Sequence, residues 1–281
     1  PVDPGSGAGM YNSYSSLGGS GGGAVKLTVS GTTSHSGNIS ANGQNAPHSY
    51  TGGGSGGSVW LATGTLSGAS SIQSNGGNGY YSSSYHAGHG GGGRIAVYYT
   101  TDSSSVTMQA YAGYNASSPA NTGGSGTIYK ESAAQAGTGD LIVDNASHDS
   151  WDDRYIGRTT LDATYAFDSI TIQNYGNLET GSSSSITYSS LNWSTTGIIT
   201  DNGGTFAVVS GGGSLTIPAT ARLVGNTART FTGPALDERQ EGHERGADLP
   251  EEPVDLQGPG GVVRAHDAED VGGDTGLPED L

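Results

Sequence analysis

The chain has no cysteine, so it can build neither a disulfide framework nor a thiolate metal site. It is short of bases, with ten Lys and Arg against 26 Asp and Glu and a formal net charge of −16. No basic stripe forms, which excludes the phosphate-neutralising surface that nucleic-acid binding requires. No apolar run approaches the ~18 residues of a membrane-spanning helix, so membrane insertion by a helix is not expected. Hydrophobic residues make up only 32% of the chain, and a stack of thin rungs, each burying a few side chains, fits so low a fraction. Acids are scarce in the first half, where residues 1–130 hold only Asp3 and Asp102. The sequence opens on Pro1 without an apolar leader, which reads as a processed product or a piece whose export signal has been removed.

Glycine fills the space left by these absences, at 51 of 281 residues. It comes in clusters rather than at every third position, so collagen is excluded. The clusters head a repeat: GGSGGGAVKLTV from Gly18, GGGSGGSVWLAT from Gly52, GHGGGGRIAVYY from Gly88 and a degenerate GGSGTIYK from Gly123. Aligning the first strand residue places Val25, Val59, Ile95 and Ile128 in register, at spacings of 34, 36 and 33. A fixed period of this length marks a stacked repeat architecture.

Each repeat begins with a period of two. Val25, Leu27 and Val29 face one way and Lys26 and Thr28 the other, and Ile95, Val97 and Tyr99 repeat the pattern. Such alternation predicts a half-buried strand. Ile39, Ile72 and Met108 mark a shorter second strand, followed by Asn42-Gly43, Asn75-Gly76 and Ala112-Gly113, which read as turns. Asn-Gly also suits a hairpin. Like strands that recur once per unit favour parallel stacking, one rung above the next at about 4.8 Å. The expected organisation is a Gly/Ser/Tyr-rich leader or end coil over 1–23, repeats over 24–138 and shorter strands continuing the stack over 139–234. An acidic tail, 235–281, closes the chain. That tail holds 14 acids and three arginines, a net −11, and cannot offset the entropy of ordering, so it is expected to be disordered.

The string GGGSGGSVWL…SIQSNGGNG…GGGGRIAVYY…GGSGTIY…GDLIVDN resembles glycine-rich repeat regions of large bacterial secreted and cell-surface proteins. Those regions are similar to the pectin-lyase-like, right-handed parallel β-helix class. The resemblance covers Gly18 to Asn145 well and Phe167 to Val224 loosely. It implies an all-β solenoid with glycine-rich turns and an extracellular or cell-surface setting. A fold hosting many functions assigns no activity by itself.

Catalysis on such a scaffold requires paired carboxyl groups, which the first half lacks. Asp144, Asp149, Asp152 and Asp153 form the densest acidic cluster before the tail. They are the set from which a Ca2+ site would be drawn, against the plainer reading of a solvated acidic loop. His86 and His89 have no acid close in sequence and carry no metal motif. Of the Asn-x-Ser/Thr matches at Asn38, Asn115, Asn145 and Asn192, only Asn115 is free of a strand. The inter-strand segments concentrate Tyr50, Tyr80, Tyr81, Tyr85, Tyr111 and Tyr114. Tyr combines a large apolar face with a hydroxyl on few rotors, which suits glycan or protein recognition, and equally suits packing over glycine rungs. The resulting expectation is a non-catalytic structural or adhesive module that associates with itself or with cell-surface glycans or proteins. The competing expectations are a polysaccharide-acting lyase or hydrolase and a calcium-dependent carbohydrate-binding module.

Overall fold

The computed structural model describes residues 2–9, 17–82, 85–117, 122–148, 157–208 and 217–225, with only the backbone of Tyr85, Val208, Gly225, Arg229–Thr230 and Val262–Val263. The strands are β1 (Ala24–His35), β2 (Ile39–Ser40), β3 (Ser58–Gly68), β4 (Ser71–Gln73), β5 (Tyr81–Ser82) and β6 (Tyr85–His86). There follow β7 (Arg94–Asp102), β8 (Thr107–Gln109), β9 (Thr127–Ser132), β10 (Asp140–Asp144), β11 (Thr159–Leu161) and β12 (Thr164–Gln173). The last are β13 (Asn177–Thr180), β14 (Ser185–Trp193), β15 (Ile198–Asp201), β16 (Thr205–Val208), β17 (Arg222–Gly225), β18 (Arg229–Thr230) and β19 (Val262–Val263). The chain is all-β and its strands are largely parallel. Three sheets carry it, in the orders β1-β3-β7-β9-β10-β12-β14-β16, β11-β13-β15-β17 and β2-β4-β8, beside the two-stranded pairs β5-β6 and β18-β19.

Register follows the repeat. Val25 pairs with Val59, Val59 with Ile95 and Ile95 with Ile128, all parallel. Ile39 pairs with Ile72, and Ile72 with Met108. Stacking like on like buries Val59, Leu61, Ile72, Ile95 and Val97 at 0–1% exposure in one apolar column. Each such side chain contributes roughly 1.5–3 kcal/mol relative to exposure. Parallel stacking wins over the hairpin reading because it satisfies the backbone and keeps every apolar residue above its counterpart.

The glycine segments do not form turns. They run extended, and their hydrogen bonds recur every third residue in three directions. Gly53 and Gly56 donate to the carbonyls of Gly88 and Gly91 in the next unit; Gly54 and Gly57 donate to Gln44 and Ala41 across an antiparallel neighbour; Ser55 and Ser58 donate to Ser6 and Gly23. Three residues per turn without internal bonds is the polyproline-II habit. Here the chains bond to one another instead, as two stacked columns: 18–23, 52–57, 88–93 and 122–126 in one, 41–47, 74–79 and 110–115 in the other. Positive φ, the first reason glycine suggests itself, occurs among glycines of the described residues only at Gly68, Gly137 and Gly203. Close approach is the reason instead. A Cβ on Gly57, Gly93 or Gly126 would collide with the carbonyl of Gly23, Gly57 or Gly93 in the unit before.

Asn42-Gly43 and Asn75-Gly76 therefore correct the turn expectation, since both lie within the second column. The Asn side chains follow the same period of three. The Oδ1 of Asn42 and Asn45 accept from the N–H of Asn75 and Asn78, and those two side chains accept in turn from Tyr111 and Tyr114.

The second half changes both direction and period. β10 pairs antiparallel with β9, Lys130 opposite Asp140, so β10, β12, β14 and β16 run against β1, β3, β7 and β9. Unit length falls to about 21 residues, as Thr164 pairs with Ser185 and Asn177 with Ile198. A separate core of Leu141, Val143, Phe167, Ile170, Ile172, Leu178, Ile186 and Ile199 fills this part. β11 (TTL) and β13 (NLET) are strands without the clean alternation that marks the early ones. The acidic tail lies outside the described residues, apart from the backbone of Val262–Val263.

Candidate functional site

Each unit of the first half leaves the second glycine column, crosses a connecting loop and enters the first column again. The loops around Tyr50, Tyr80–Ala87 and Tyr114–Ser117 therefore emerge from one edge of the glycine layers. A backbone bond ties neighbouring loops together, Tyr80 N–H donating to Thr51 O, and another closes the second loop on itself, Ala87 N–H donating to Tyr80 O. The Tyr50 and Tyr80 rings, from adjacent units, lie 5.6 Å apart. Tyr50 is 45% exposed and sits at φ +66°, a left-handed backbone that costs an aromatic residue of order 1 kcal/mol or more. Tyr81 meets His86 edge-on at 5.1 Å across the β5–β6 hairpin. The side chain of Tyr85 lies outside the described residues.

Tyr111 and Tyr114 stand apart from that group. They occupy the second column at the two positions where earlier units carry Asn, and their backbone N–H groups are held by Asn75 and Asn78. His148 stacks on Tyr114 at 4.5 Å and meets Tyr111 edge-on at 6.1 Å. Burial and the neighbouring Asp144 charge push the Tyr111 phenol above its ordinary value. The six sequence-selected tyrosines thus divide into a loop group and a column group.

Asp144 is committed to the fold. It accepts from Ala146 N–H at 2.8 Å, Gln173 Nε2 at 2.7 Å and Asn174 Nδ2 at 3.1 Å. Asp149, Asp152 and Asp153 lie outside the described residues. Among the described residues no three His, Asp or Glu side chains converge as a metal site would require. Asn145, one of the four glycosylation matches, is fully buried; its amide bonds Ala112 N–H and His148 O, which leaves no accessible nitrogen. His35 is 6% exposed, and neither ring nitrogen has a partner among the described residues.

A further aromatic group escaped selection from the sequence. Trp60, Tyr98 and Tyr129 lie on the face of the large sheet opposite its apolar column, with ring centroids 5.5 and 5.8 Å apart. Lys26 Nζ stands 4.8 Å from the Trp60 ring. The Tyr129 hydroxyl donates to Glu131 Oε2 at 2.7 Å and accepts from Gly139 N–H at 2.9 Å. Burial and the bond to Glu131 push its phenol up to about 12. The signal was available: alternation that sends Val59, Leu61, Ile95 and Val97 inward sends Trp60 and Tyr98 outward.

Comparison with protein-family models, curated proteins and solved structures returned no match.

Proposed function

We propose that this chain is a non-catalytic extracellular module of the structural or adhesive kind, wound in the manner of a right-handed parallel β-helix and presenting its aromatic loops for recognition. The observation that carries this reading is the Tyr50–Tyr80 pair at the edge of a rigid layer, in which Tyr50 is held exposed by a backbone conformation that Tyr adopts only at a cost and Tyr80 is half-buried beside it. Strain of this sort persists where surrounding structure over-determines it, and it concentrates at functional sites. Loops on a rigid scaffold are the usual bearers of binding. The glycine layers supply rigidity, since no side chain intervenes between their backbones.

Self-association belongs to the same reading, through β1 rather than through glycine. Interior units carry Gly54, Gly90 and Gly123 where the preceding carbonyl leaves no room for a Cβ, and Gly77 and Gly113 likewise. The first unit carries Ser20 and Gln44 at these positions, and the Gln44 Oε1 accepts from Ser20 N–H at 3.2 Å. Side chains there stop the glycine column. Among the described residues β1 has no such stop and no strand beyond it, and its Leu27 is 37% exposed where the counterpart Leu61 is fully buried. An unpaired edge of this kind templates another strand.

The test is binding of the purified chain to an array of cell-surface glycans and proteins, alongside Tyr50→Ala and Tyr80→Ala. Loss of retained ligands in both variants, with unchanged melting, is the expected result. An array that retains nothing, or ligands indifferent to both substitutions, would remove the adhesive reading.

A further inference from the structure

The outer face of β1, β3, β7 and β9 carries Trp60, Tyr98 and two cations that neither core uses. Register sets Lys26 beside Trp60, Trp60 beside Ala96 and Ala96 beside Tyr129, with Tyr98 one step along. Arg94 precedes Ala96 by two residues on β7 and so shares this face. Val59, Leu61, Ile95, Val97 and Ile128 fill the core on the other side; Trp60 and Tyr98 belong to neither core, and Tyr129 completes the row of three rings while packing at its far side on Phe167, 6.2 Å away. They cross three strands, about 10 Å at ~4.8 Å per strand, a length on the scale of a disaccharide. Their planes are inclined by 44° and 57°, which suits a twisted single chain better than a flat crystalline surface. A shallow hollow of about 210 Å³ adjoins them, lined in part by Ala62, Tyr98, Thr100 and Glu131.

Charge on this face has one sign to spare. Both Lys26 and Arg94 are exposed, and neither pairs with a carboxylate among the described residues. Glu131 is spent on Tyr129 and on Gly137 N–H, at 2.7 and 2.6 Å. Lys130, which points to the other side of β9 beside Val97, is spent on Asp102, at 3.1 Å. Aromatic faces with unpaired cations at their margin complement a ligand with apolar ring faces and negative substituents.

We propose that this face binds an anionic glycan, its pyranose rings against Trp60 and Tyr98 and its carboxylate or sulfate groups at Lys26 and Arg94. The site is separate from the loop surface and stands or falls apart from it. The test titrates the full chain with uronate-bearing oligosaccharides, sulfated oligosaccharides and their neutral counterparts, following tryptophan fluorescence and calorimetric heat. The expected result is saturable binding of a charged oligosaccharide, weakened at least tenfold by Tyr98→Ala and by Arg94→Ala. Tyr50→Ala is expected to leave it unchanged, and the better-bound anion identifies the natural substituent. Equal binding of the neutral counterpart, or of a ring-free polyanion such as polyphosphate, overturns the proposal. So does binding that survives both substitutions, or no binding at all. Binding lost in Tyr50→Ala but kept in Tyr98→Ala would move the ligand to the loops, leaving the adhesive reading intact and this one refuted.

Discussion

Glycine at a given position is required here by its neighbours rather than by its own backbone. A methyl group on Gly93 would meet Gly57 O and the Ser74 hydroxyl, whereas one on Gly23 meets nothing within 4 Å. Gly93→Ala is therefore expected to cost about 3 kcal/mol through overpacking. Gly23→Ala is expected to add about 0.5 kcal/mol by restricting the unfolded chain. Paired urea titrations check both signs, and equal effects would refute the steric account. Tyr129 gives a prediction in pH. Its phenol is raised to about 12 against an ordinary value of 10, so the folded state holds the proton longer than the unfolded one. The stability it contributes is full below pH 10 and is lost as pH climbs through 12. Tyr129→Phe should flatten the alkaline fall of the melting temperature without moving the acid limb. Buried His35 offers the opposite case, a polar ring without partners among the described residues. Exchange for Phe is expected to hold or raise stability by up to about 1 kcal/mol, read as a melting shift at neutral pH.

At the scale of elements, the first-half strands were legible and their connections were not. Alternation of Val25, Leu27 and Val29 gave the strand, and the 34-, 36- and 33-residue spacings gave its partner. The motifs Asn42-Gly43-Gln44-Asn45 and Asn75-Gly76-Gly77-Asn78 resembled turns because Asn-Gly is the commonest tight-turn pair. Their true signal was the period of three, which places Asn42, Asn45, Asn75 and Asn78 where each amide replaces a backbone acceptor for the next unit. Single-chain propensity does not register such a period, because it has meaning only beside another chain. A buried amide, Asn145, works in the opposite direction, accepting from Ala112 N–H in the preceding unit. Asn145→Ala would strip the Ala112 N–H and the His148 carbonyl of their partners. A loss of about 2 kcal/mol is expected, with faster hydrogen exchange at Ala112 as the local readout. β13 was missed for a related reason. Asn177, Leu178, Glu179 and Thr180 are all buried, with Glu179 held by Arg158 Nη1 at 2.8 Å and Thr160 Oγ1 at 2.6 Å, and a strand with polar residues on its outer side shows no clean alternation.

For the whole molecule, the β1 edge is the place where association is decided. Leu27→Lys puts a charge on an edge that no described strand pairs, which is a standard means of blocking strand addition. Negative-stain microscopy across a concentration series is expected to show assemblies of uniform width for the native chain and isolated particles for Leu27→Lys. Ser20→Gly with Gln44→Gly should instead open the glycine column and increase association. Isolated particles in every case would remove self-assembly from the proposed function while leaving the recognition surfaces untouched. The division of charge bears on the same behaviour. Residues 1–130 hold three bases against two acids, so repulsion between copies at the β1 end is weak.

The sequence by itself determined the repeat, the β character, the parallel partner of each early strand and the poverty of catalytic carboxylates in the first half. These follow from alternation and period, which are local properties that a chain carries before it folds. Only the tertiary structure decided that the glycine runs are bonded layers rather than turns, that Tyr111 and Tyr114 stand in a column while Tyr50 and Tyr80 meet at its edge, and that direction reverses between β9 and β10. It also set Lys26, Arg94, Trp60, Tyr98 and Tyr129 on one face. Each of these depends on contacts between residues 10 or more positions apart, many of them more than 30. A backbone carbonyl lying where a Cβ would be is invisible until the neighbouring chain is in place.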